Sequence, residues 1–233
     1  MKSVNKQPGE MSALVTGANR GIGHEVCRQL AGRGWHVFAC VRDMHRNMAA
    51  MAQIAGNVTV LELDVADADA IEQLPSRLRE TTGRLDVLVN NAGILGSPDG
   101  LGTTPSQELR EVMETNFFGA AHLTRVLLPL LANSPSPRII NVSSGMGALD
   151  DLDGSYASYR LSKAGLNALT ILSAREHPQI RINAVCPGWV RTAMGGSNAP
   201  RPVAAGADTI VWLATAAEVP TGKFIRDRKV INW

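Results

Sequence analysis

The sequence ALVTGANRGIG at positions 13–23 runs from a short apolar segment into a glycine-rich turn, and the helical pattern HEVCRQLAGRG follows at 24–34. Glycines permit a tight turn and let a ligand approach the backbone closely. The free N–H groups and the dipole at a helix start attract a pyrophosphate. The spacing is GxxxGxG rather than the GxGxxG of the general dinucleotide fingerprint. The stretch therefore predicts a strand, a phosphate-binding turn and a helix, and a glycine turn without a ligand is the alternative.

The rest of the chain repeats this alternation of short β-branched runs with longer helical segments. Apolar positions three and four apart support amphipathic helices at 23–33 and 109–131. Alternation of this kind is typical of βαβ units with right-handed crossovers. It predicts an α/β fold with a doubly wound parallel sheet, Rossmann-type, in a single domain. The predicted strands are ALVTG at 13–17, HVFACV at 36–41, VTVLELDV at 58–65, LDVLVN at 85–90, RIINVSS at 138–144, IRINAVCPG at 180–188 and an edge strand in KFIRDRKVINW at 223–233.

Length and composition limit the classes of protein to which the chain can belong. With 233 residues it can build one sizeable core, so we expect a disordered leader at 1–11 and a single catalytic domain of the Rossmann type at 12–233. No apolar run approaches the roughly 20 residues of a membrane span, and the leader lacks the apolar core of a secretory signal. We therefore expect a soluble, cytoplasmic protein that does not associate with membranes.

Charge and cysteine usage point to a small-molecule partner. The net charge is +2 with interspersed signs, which argues against nucleic acid as a partner. Cys27, Cys40 and Cys186 are far apart in apolar segments, which favours buried thiols over disulfides or a metal site. His24 and His122 are single imidazoles without partners at ligand spacing, so no metal is predicted.

The end of the second strand bears on which dinucleotide binds. An acidic residue there would bind the adenosine ribose of NAD, whereas a basic one accommodates the 2′-phosphate of NADP. The sequence has Arg42 at this place, and Arg20 in the glycine turn adds a second guanidinium able to make paired phosphate contacts. NADPH is therefore predicted over NADH. Asp43 is the alternative, because a shift of one residue would put its carboxylate near the ribose.

A candidate acid/base pair follows in the third quarter of the chain. Tyr159 and Lys163 are four residues apart, on one face of a helix if the stretch is helical. A tyrosine has an ordinary pKa of about 10, and a nearby cation and an oxidised nicotinamide would stabilise its phenolate. The pair therefore predicts proton transfer to or from a carbonyl or alcohol.

Taken together, these motifs resemble the short-chain dehydrogenase/reductase family over nearly the whole chain. The matching elements are TGxxxGIG at 16–23, NNAG at 90–93, the Asn of METNFFG at 116, the Ser of NVSS at 144 and YxxxK at 159–163. The resemblance implies a catalytic tetrad of Asn116, Ser144, Tyr159 and Lys163. In it the Tyr hydroxyl protonates the carbonyl oxygen as hydride arrives, Ser orients that oxygen, Lys holds the nicotinamide ribose and lowers the Tyr pKa, and Asn fixes a water.

The same resemblance extends the predicted cofactor site beyond the glycine turn. Asp64 and Val65 match positions that contact the adenine, and Asn91 matches a position beside the adenosine ribose. The loop at 187–192 matches the loop that contacts the nicotinamide carboxamide and the phosphates. The complete predicted NADP site comprises Gly17, Asn19, Arg20, Gly21, Ile22, Gly23, Arg42, Asp64, Val65, Asn91, Tyr159, Lys163, Pro187, Gly188, Val190 and Thr192.

Three loops are expected to touch the substrate, at 94–105, 145–158 and 193–203. The last is short compared with the helical lid of many family members, which suggests an open, permissive pocket. Two aromatic residues each have two possible roles. Trp189 either lines that pocket or packs on the core, and Tyr156 either lines the pocket or has a packing role. PGWVRTAMGG and the C-terminal TGKFIRDRK resemble carbonyl-reductase-like members, which implies reduction of an aldehyde or ketone.

The family also implies a homodimer or homotetramer through the helices at 109–131 and 159–176. Two other functions compete with reduction. A non-catalytic NADP(H)-binding regulator could use the same fold, but an intact tetrad argues against it. A sugar-nucleotide epimerase or dehydratase also uses YxxxK, but such enzymes resemble longer chains with a larger C-terminal lobe.

Overall fold

A computed structural model describes residues 11–233 of the chain, and an eight-stranded sheet runs through the centre of this part. The strand order is β3-β2-β1-β4-β5-β6-β7-β8, in which all neighbours are parallel except the last pair. This order reverses direction between β1 and β4, which makes the sheet doubly wound. The strands are β1 Ser12–Thr16, β2 His36–Val41, β3 Val58–Glu62, β4 Val87–Asn90, β5 Arg138–Val142, β6 Arg181–Val185, β7 Lys223–Arg226 and β8 Lys229–Ile231.

Helices cover both faces of the sheet and close two hydrophobic cores. On one face, β1 packs with helices α1 and α7 around Val26, Leu30 and Ile210; on the other, α3, α5 and α6 surround Leu88 and Leu123. The strands that are buried on both faces are mainly apolar, as expected for a parallel sheet, and their polar residues lie mostly towards the strand ends. The helices are α1 Gly21–Ala31, α2 Met44–Met51, α3 Ala68–Arg79, α4 Ser106–Met113, α5 Gly119–Leu131, α6 Ala157–Glu176 and α7 Val203–Thr215.

The predicted fold class is confirmed, and the structure differs from the sequence-based expectation at two elements. The segment expected as one edge strand at 223–233 forms two strands, because Asp227 and Arg228 adopt left-handed conformations and turn the chain back. The helix expected at 109–131 is divided by a π-helical turn at Glu114–Phe118, which joins α4 to α5. Such turns inside helices are often found at functional sites.

The remaining expectations about the chain have mixed outcomes. All three cysteines are free and buried, as predicted. Residues 1–10 of the expected leader lie outside the described residues, whereas Met11 already accepts a hydrogen bond from the His36 N–H. Over residues 11–233, no helix is both long and apolar enough to cross a membrane.

Candidate active site

The predicted phosphate-binding turn connects β1 to α1 at the carboxyl edge of the sheet. Gly17 and Gly21 have φ angles of +63° and +57°, which favour glycine. The Asn91 amide donates to the backbone oxygens of Thr16 and Gly17, at 2.8 and 3.2 Å, and so holds the turn. A Cβ on Gly23 would lie 2.5 Å from the Asn91 Nδ2, so only glycine fits there. Asn91 thus has the sheet-stabilising role as well as a place at the cleft.

The turn forms one end of a cleft of about 270 Å³. This cleft collects residues from the carboxyl ends of several strands, where ligands bind in doubly wound sheets. Of the predicted site, the cleft is lined by Gly17, Asn19, Arg20, Gly21, Ile22, Arg42, Asp64, Val65, Asn91, Tyr159, Lys163, Pro187 and Thr192, and its other lining residues include Ile94, Ser143 and Met194.

Five predicted site residues do not line this cleft. Gly23, Gly188 and Val190 serve the packing around it: a Cβ on Gly188 would lie 2.6 Å from the Arg201 side chain, and Val190 packs against Gly206. Asn116 and Ser144 lie just behind the lining, and their contacts with the site are described below.

The structure separates Arg42 from Asp43. Asp43 is the N-cap of α2, and its carboxylate accepts a hydrogen bond of 2.9 Å from the Arg46 N–H and pairs with the Arg46 guanidinium. This use of the carboxylate is what an N-cap aspartate provides. Arg42 lines the cleft, so the group presented to the cleft at the end of the second strand is a guanidinium and not a carboxylate.

Tyr159 and Lys163 lie one turn apart on α6, as the spacing predicted. The Ser144 side chain lies beside the Tyr159 hydroxyl, close enough to lower the Tyr159 pKa. The Lys163 ammonium lies 5.6 Å from the centroid of the Tyr159 ring and donates to the Val142 oxygen at 2.8 Å. Ser143, the neighbour of Ser144, points elsewhere and donates to the Lys163 carbonyl.

Burial controls the protonation of both groups. Tyr159 is 7% exposed, and burial raises its pKa to about 12, which Ser144 offsets only in part. Burial also lowers the pKa of Lys163 to about 8, because a desolvated ammonium is disfavoured. Desolvation is the largest effect on the Tyr159 pKa, followed by the Ser144 side chain, which lowers it. Tyr159 is therefore a protonated hydroxyl at neutral pH.

The π-helical turn places Asn116 behind this pair. Its Oδ1 accepts from the Ile94 N–H at 2.8 Å, while its Nδ2 donates to the Ile94 oxygen and the Ser162 hydroxyl, each at 2.9 Å. A Cβ on Gly93 would lie 3.2 Å from Asn116 Oδ1 and 3.5 Å from Lys163 Nζ. The two polar ends therefore converge beside Gly93, where a side chain would intrude.

Several residues around this centre had no role in the sequence-based prediction. Ser162 is buried and links Asn116 to the Tyr159 carbonyl, which a hydroxyl one position before the lysine could have suggested. Glu108 holds a loop beside Tyr159 through a contact with Ser158, which is distant in sequence, and Arg160 holds the loop that precedes it in the chain; no local motif indicates either role.

Four further side chains received open or surface assignments. Trp189 does not pack on the core, since it is 58% exposed and its indole N–H donates to the Gly195 oxygen. Tyr156 begins α6 in a left-handed conformation. The His24 ring is hydrogen-bonded to the Ala50 oxygen, and the His122 ring is hydrogen-bonded to the Glu72 carboxylate. Residues 11–233 contain no cluster of His, Cys, Asp and Glu that could hold a metal ion.

Comparison with known proteins places this geometry in a family. A sequence model described as short chain dehydrogenase matches residues 11–202. Carbonyl reductase (NADPH) 1 of Sus scrofa is 36% identical over 277 aligned residues, which cover 95% of this chain and 93% of that protein. The (+)-neomenthol dehydrogenase of Arabidopsis thaliana is 32% identical, with coverage of 95% and 97%.

Solved structures agree with this assignment. The carbonyl reductase Sniffer of D. melanogaster has a TM-score of 0.86 at 33% identity, and the alignment covers 96% of this chain and all of that one. An NADPH-bound carbonyl reductase from chicken fatty liver has a TM-score of 0.85 at 32% identity, with coverage of 96% and 99%. The chain belongs to the short-chain dehydrogenase/reductase family.

Proposed function

We propose that this chain is an NADPH-dependent reductase of aldehydes or ketones in which Tyr159 is the proton donor. The observation that carries the proposal is the buried Tyr159 side chain, which lies beside Ser144 and lines the same cleft as the glycine turn. The similarity to proteins named carbonyl reductase supports the choice of substrate class. No feature of the site favours the non-catalytic regulator.

The residues of the cleft fit NADPH. The N–H groups at the start of α1 and the glycines at 17 and 21 suit a pyrophosphate, because no Cβ blocks the approach. Arg20 and Arg42 both line the same end and offer planar guanidinium groups to a 2′-phosphate. Asp43, the carboxylate that would favour NADH, is turned to its N-cap role.

Bound NADPH would supply the hydride, and the chain's own residues would supply orientation and the proton. Ser144 lies close enough to the Tyr159 hydroxyl to lower its pKa, so the two hydroxyls are near enough to bind one carbonyl oxygen. This pair would stabilise the developing alkoxide. Tyr159, whose raised pKa keeps its hydroxyl protonated, would transfer its proton to the alkoxide oxygen.

Lys163 and Asn116 would support Tyr159 from behind. With a pKa of about 8, the Lys163 ammonium can lose and regain a proton near neutral pH, so it can take part in restoring the Tyr159 hydroxyl. Asn116 is fixed by three hydrogen bonds and converges with Lys163 beside Gly93. This rigidity suits a group that positions a proton path.

The decisive test is NADPH oxidation against a panel of aldehydes, ketones, quinones and steroids with Tyr159→Phe as the control. The substitution removes only the hydroxyl, so we expect turnover to fall by about 10³-fold or more while NADPH binding stays within about twofold. Turnover by Tyr159→Phe that matches the wild type would exclude the mechanism. Tighter binding of NADH than of NADPH would exclude the cofactor preference.

The breadth of substrates, the assembly and the compartment complete the proposal. The alignment to the Sus scrofa protein is longer than the 233 residues of this chain, so that relative contains segments that this chain lacks. The short loop at 193–203, whose first residues Ala193 and Met194 line the cleft, favours an open pocket that accepts varied carbonyl compounds. We also propose a homo-oligomer, a dimer or tetramer, in the cytoplasm.

A further inference from the structure

The loop from 145 to 156 connects two residues of the proposed active site. It starts directly after Ser144, which caps the first turn of the loop by accepting from the Met146 N–H at 3.2 Å. It ends at Tyr156, whose left-handed conformation (φ 49°) returns the chain to α6 three residues before Tyr159. Any change in this loop is therefore transmitted to the Ser144 hydroxyl at its origin.

Arg160 lies in the first turn of α6, and its side chain donates hydrogen bonds to the loop at several points. Its Nε donates to the Ser155 oxygen at 2.8 Å, and its Nη1 donates to the oxygens of Met146 and Asp151, at 3.4 and 2.9 Å. Its Nη2 pairs with the Asp153 carboxylate. The guanidinium thus joins the first, middle and last parts of the loop, which is a use of the five-donor fork that a lysine cannot reproduce.

The burial of Arg160 makes these contacts consequential. Arg160 is 7% exposed, whereas the loop itself presents Leu149 and Leu152 to solvent, at 69% and 45%. Other bonds hold single points of the loop: Asn167 donates to the Gly147 oxygen, the Leu149 N–H donates to the Trp233 oxygen, and the Ser155 N–H and hydroxyl donate to Asp153. Arg160 differs in that one side chain joins distant parts of the loop. Loss of a buried, multiply bonded guanidinium would leave several carbonyl oxygens without their donor.

A second loop is held from the other side of Tyr159, by a different residue. Ser158 donates to Glu108 at 2.9 Å, and the same carboxylate oxygen accepts from the N–H and hydroxyl of Ser97, at 2.9 and 3.1 Å. The loop at 94–105 is fastened through Glu108, and it also accepts hydrogen bonds from the Tyr156 and Ala157 N–H groups, at 3.2 and 3.0 Å. Because the Arg160 guanidinium itself donates to the loop at 145–156, its contribution can be tested with Glu108 left in place.

We propose that Arg160 is a positioning residue that determines substrate specificity, because it holds the loop at 145–156, which begins next to Ser144 and which the sequence predicts to touch the substrate. The inference rests on the proposed carbonyl reduction. It assigns a role to the residue that follows the proton donor: Tyr159 acts on the carbonyl, and Arg160 sets which carbonyl compounds can reach it.

The test compares the wild type with Arg160→Met, which keeps the length but removes every donor, and with Arg160→Lys. Each enzyme is assayed with a short aliphatic aldehyde and a bulky aryl ketone, and NADPH affinity is measured by fluorescence titration. For Arg160→Met we expect KM for the ketone to rise about tenfold relative to the aldehyde, with NADPH affinity within about twofold of the wild type. Arg160→Lys, which restores charge without the fork, should give an intermediate ratio.

Asp153→Asn is the matched control: the Asp153 carboxylate is itself mostly exposed, an Asn keeps an oxygen for the Ser155 N–H and hydroxyl, and the other Arg160 contacts remain. We expect this variant to keep the wild-type ratio of the two KM values. Hydrogen exchange should rise at 146–156 in Arg160→Met and stay unchanged at the Ser97 N–H, which Glu108 holds.

The outcomes separate this inference from the proposed function. A folded Arg160→Met enzyme with an unchanged KM ratio would overturn the role of Arg160 and leave the reductase intact. If Arg160→Met does not fold, an unchanged ratio in Arg160→Lys overturns the role in the same way. If the wild type reduces neither substrate nor any member of the wider carbonyl panel, the proposed function fails, and the inference fails with it.

Discussion

Lys163 carries a buried charge whose cost can be measured. Burial lowers its pKa to about 8 from the ordinary 10.5. Below pH 8 both the folded and the unfolded chain hold the proton, and the folded chain bears the full cost of a desolvated ammonium. Between about pH 8 and 10.5 only the unfolded chain binds it, so this cost declines as pH rises. Lys163 thus lowers the stability of the folded chain at neutral pH, a cost that is common for residues an active site requires.

The first prediction is that Lys163→Met inactivates the enzyme and stabilises the fold. At 1.36 kcal/mol for each pKa unit, the buried charge costs roughly 3 kcal/mol at pH 7. Loss of the bond to the Val142 oxygen offsets about 1 to 3 kcal/mol of this. Urea denaturation should therefore show a gain of about 1 kcal/mol at pH 7 that shrinks by about pH 10. A less stable variant at pH 7 would contradict this account.

The second prediction concerns the pH dependence of reduction. Tyr159, with a pKa of about 12, remains protonated over the working range, whereas Lys163 loses its proton near pH 8. We expect kcat for carbonyl reduction to decline with rising pH with a midpoint near 8, because Lys163 can no longer return a proton to Tyr159. The measurement is kcat at saturating NADPH from about pH 6 to pH 10. A profile that is level through that range would rule out Lys163 as the proton source.

The third prediction distinguishes Arg42 from Asp43. Arg42→Ala should weaken NADPH binding by about tenfold or more and leave NADH binding within about twofold, because only NADPH has the 2′-phosphate. Asp43→Ala removes the N-cap of α2 and should cost about 1 kcal/mol of stability without changing the ratio of the two affinities. Calorimetric titration with each dinucleotide checks both. An Arg42→Ala protein that keeps the wild-type ratio would assign the phosphate contact elsewhere.

At the scale of elements, α7 depends on a charge from the neighbouring strand. Arg138 begins β5, is buried, and donates to the oxygens of Leu213 and Ala216, at 2.6 and 2.7 Å. These carbonyl groups lie at the end of α7, where a helix leaves acceptors without intrahelical partners and where a cation is favoured. A single side chain therefore fixes the end of this helix to the sheet.

The fourth prediction is that Arg138→Met destabilises the protein by about 2 kcal/mol, since two buried acceptors lose a charged donor. The active site is at the opposite end of β5, so kcat/KM of the folded enzyme should stay the same. Arg125→Met is the control: its pair with Glu72 is more than half exposed on both sides, and an exposed pair of this kind contributes about 0 to 1 kcal/mol. Equal losses of stability in the two variants would contradict the role of Arg138.

The elements also show what local sequence could and could not predict. Six strands and the glycine turn followed from apolar runs and glycine spacing, because these patterns report burial directly. The hairpin of β7 and β8 was missed because Asp227 and Arg228 are not the glycine or asparagine that usually mark such a turn. The π-helical turn was missed because it leaves the helical period of the flanking residues intact.

The residues of the site also fall into those that the sequence could predict and those that it could not. Tyr159 and Lys163 could be paired from their spacing on one helix. The hold of Arg160 on its loop, and of Glu108 on another, depends on which segments the fold brings together. Desolvation likewise decided the pKa of Tyr159, and burial of a single hydroxyl is a property of the folded molecule and not of its neighbours in sequence.

At the scale of the whole molecule, α6 has a buried side that carries the reactive groups and an outer side that is apolar and exposed. Leu161 and Leu172 are 44% and 63% exposed. Eleven residues at about 100° each place them within about 20° of one another on the helix. Phe118, at the end of the π-helical turn, is 49% exposed and contacts Phe117, whose ring packs against Gly165 of α6. We call Phe118, Leu161 and Leu172 the α6 patch.

The fifth prediction is that the α6 patch joins two copies of the chain. Exposed large apolar side chains grouped on helices are typical of an association surface, and a stable interface buries about 800 Å² on each partner. The double variant Leu161→Glu with Leu172→Glu should shift the protein to a monomer in sedimentation velocity experiments. The control is Met48→Glu with Val230→Glu, which charges two exposed apolar residues on α2 and β8 and should leave the assembly unchanged. A wild-type chain that remains monomeric as its concentration is raised, or equal dissociation in both double variants, would show that the α6 patch is not the contact.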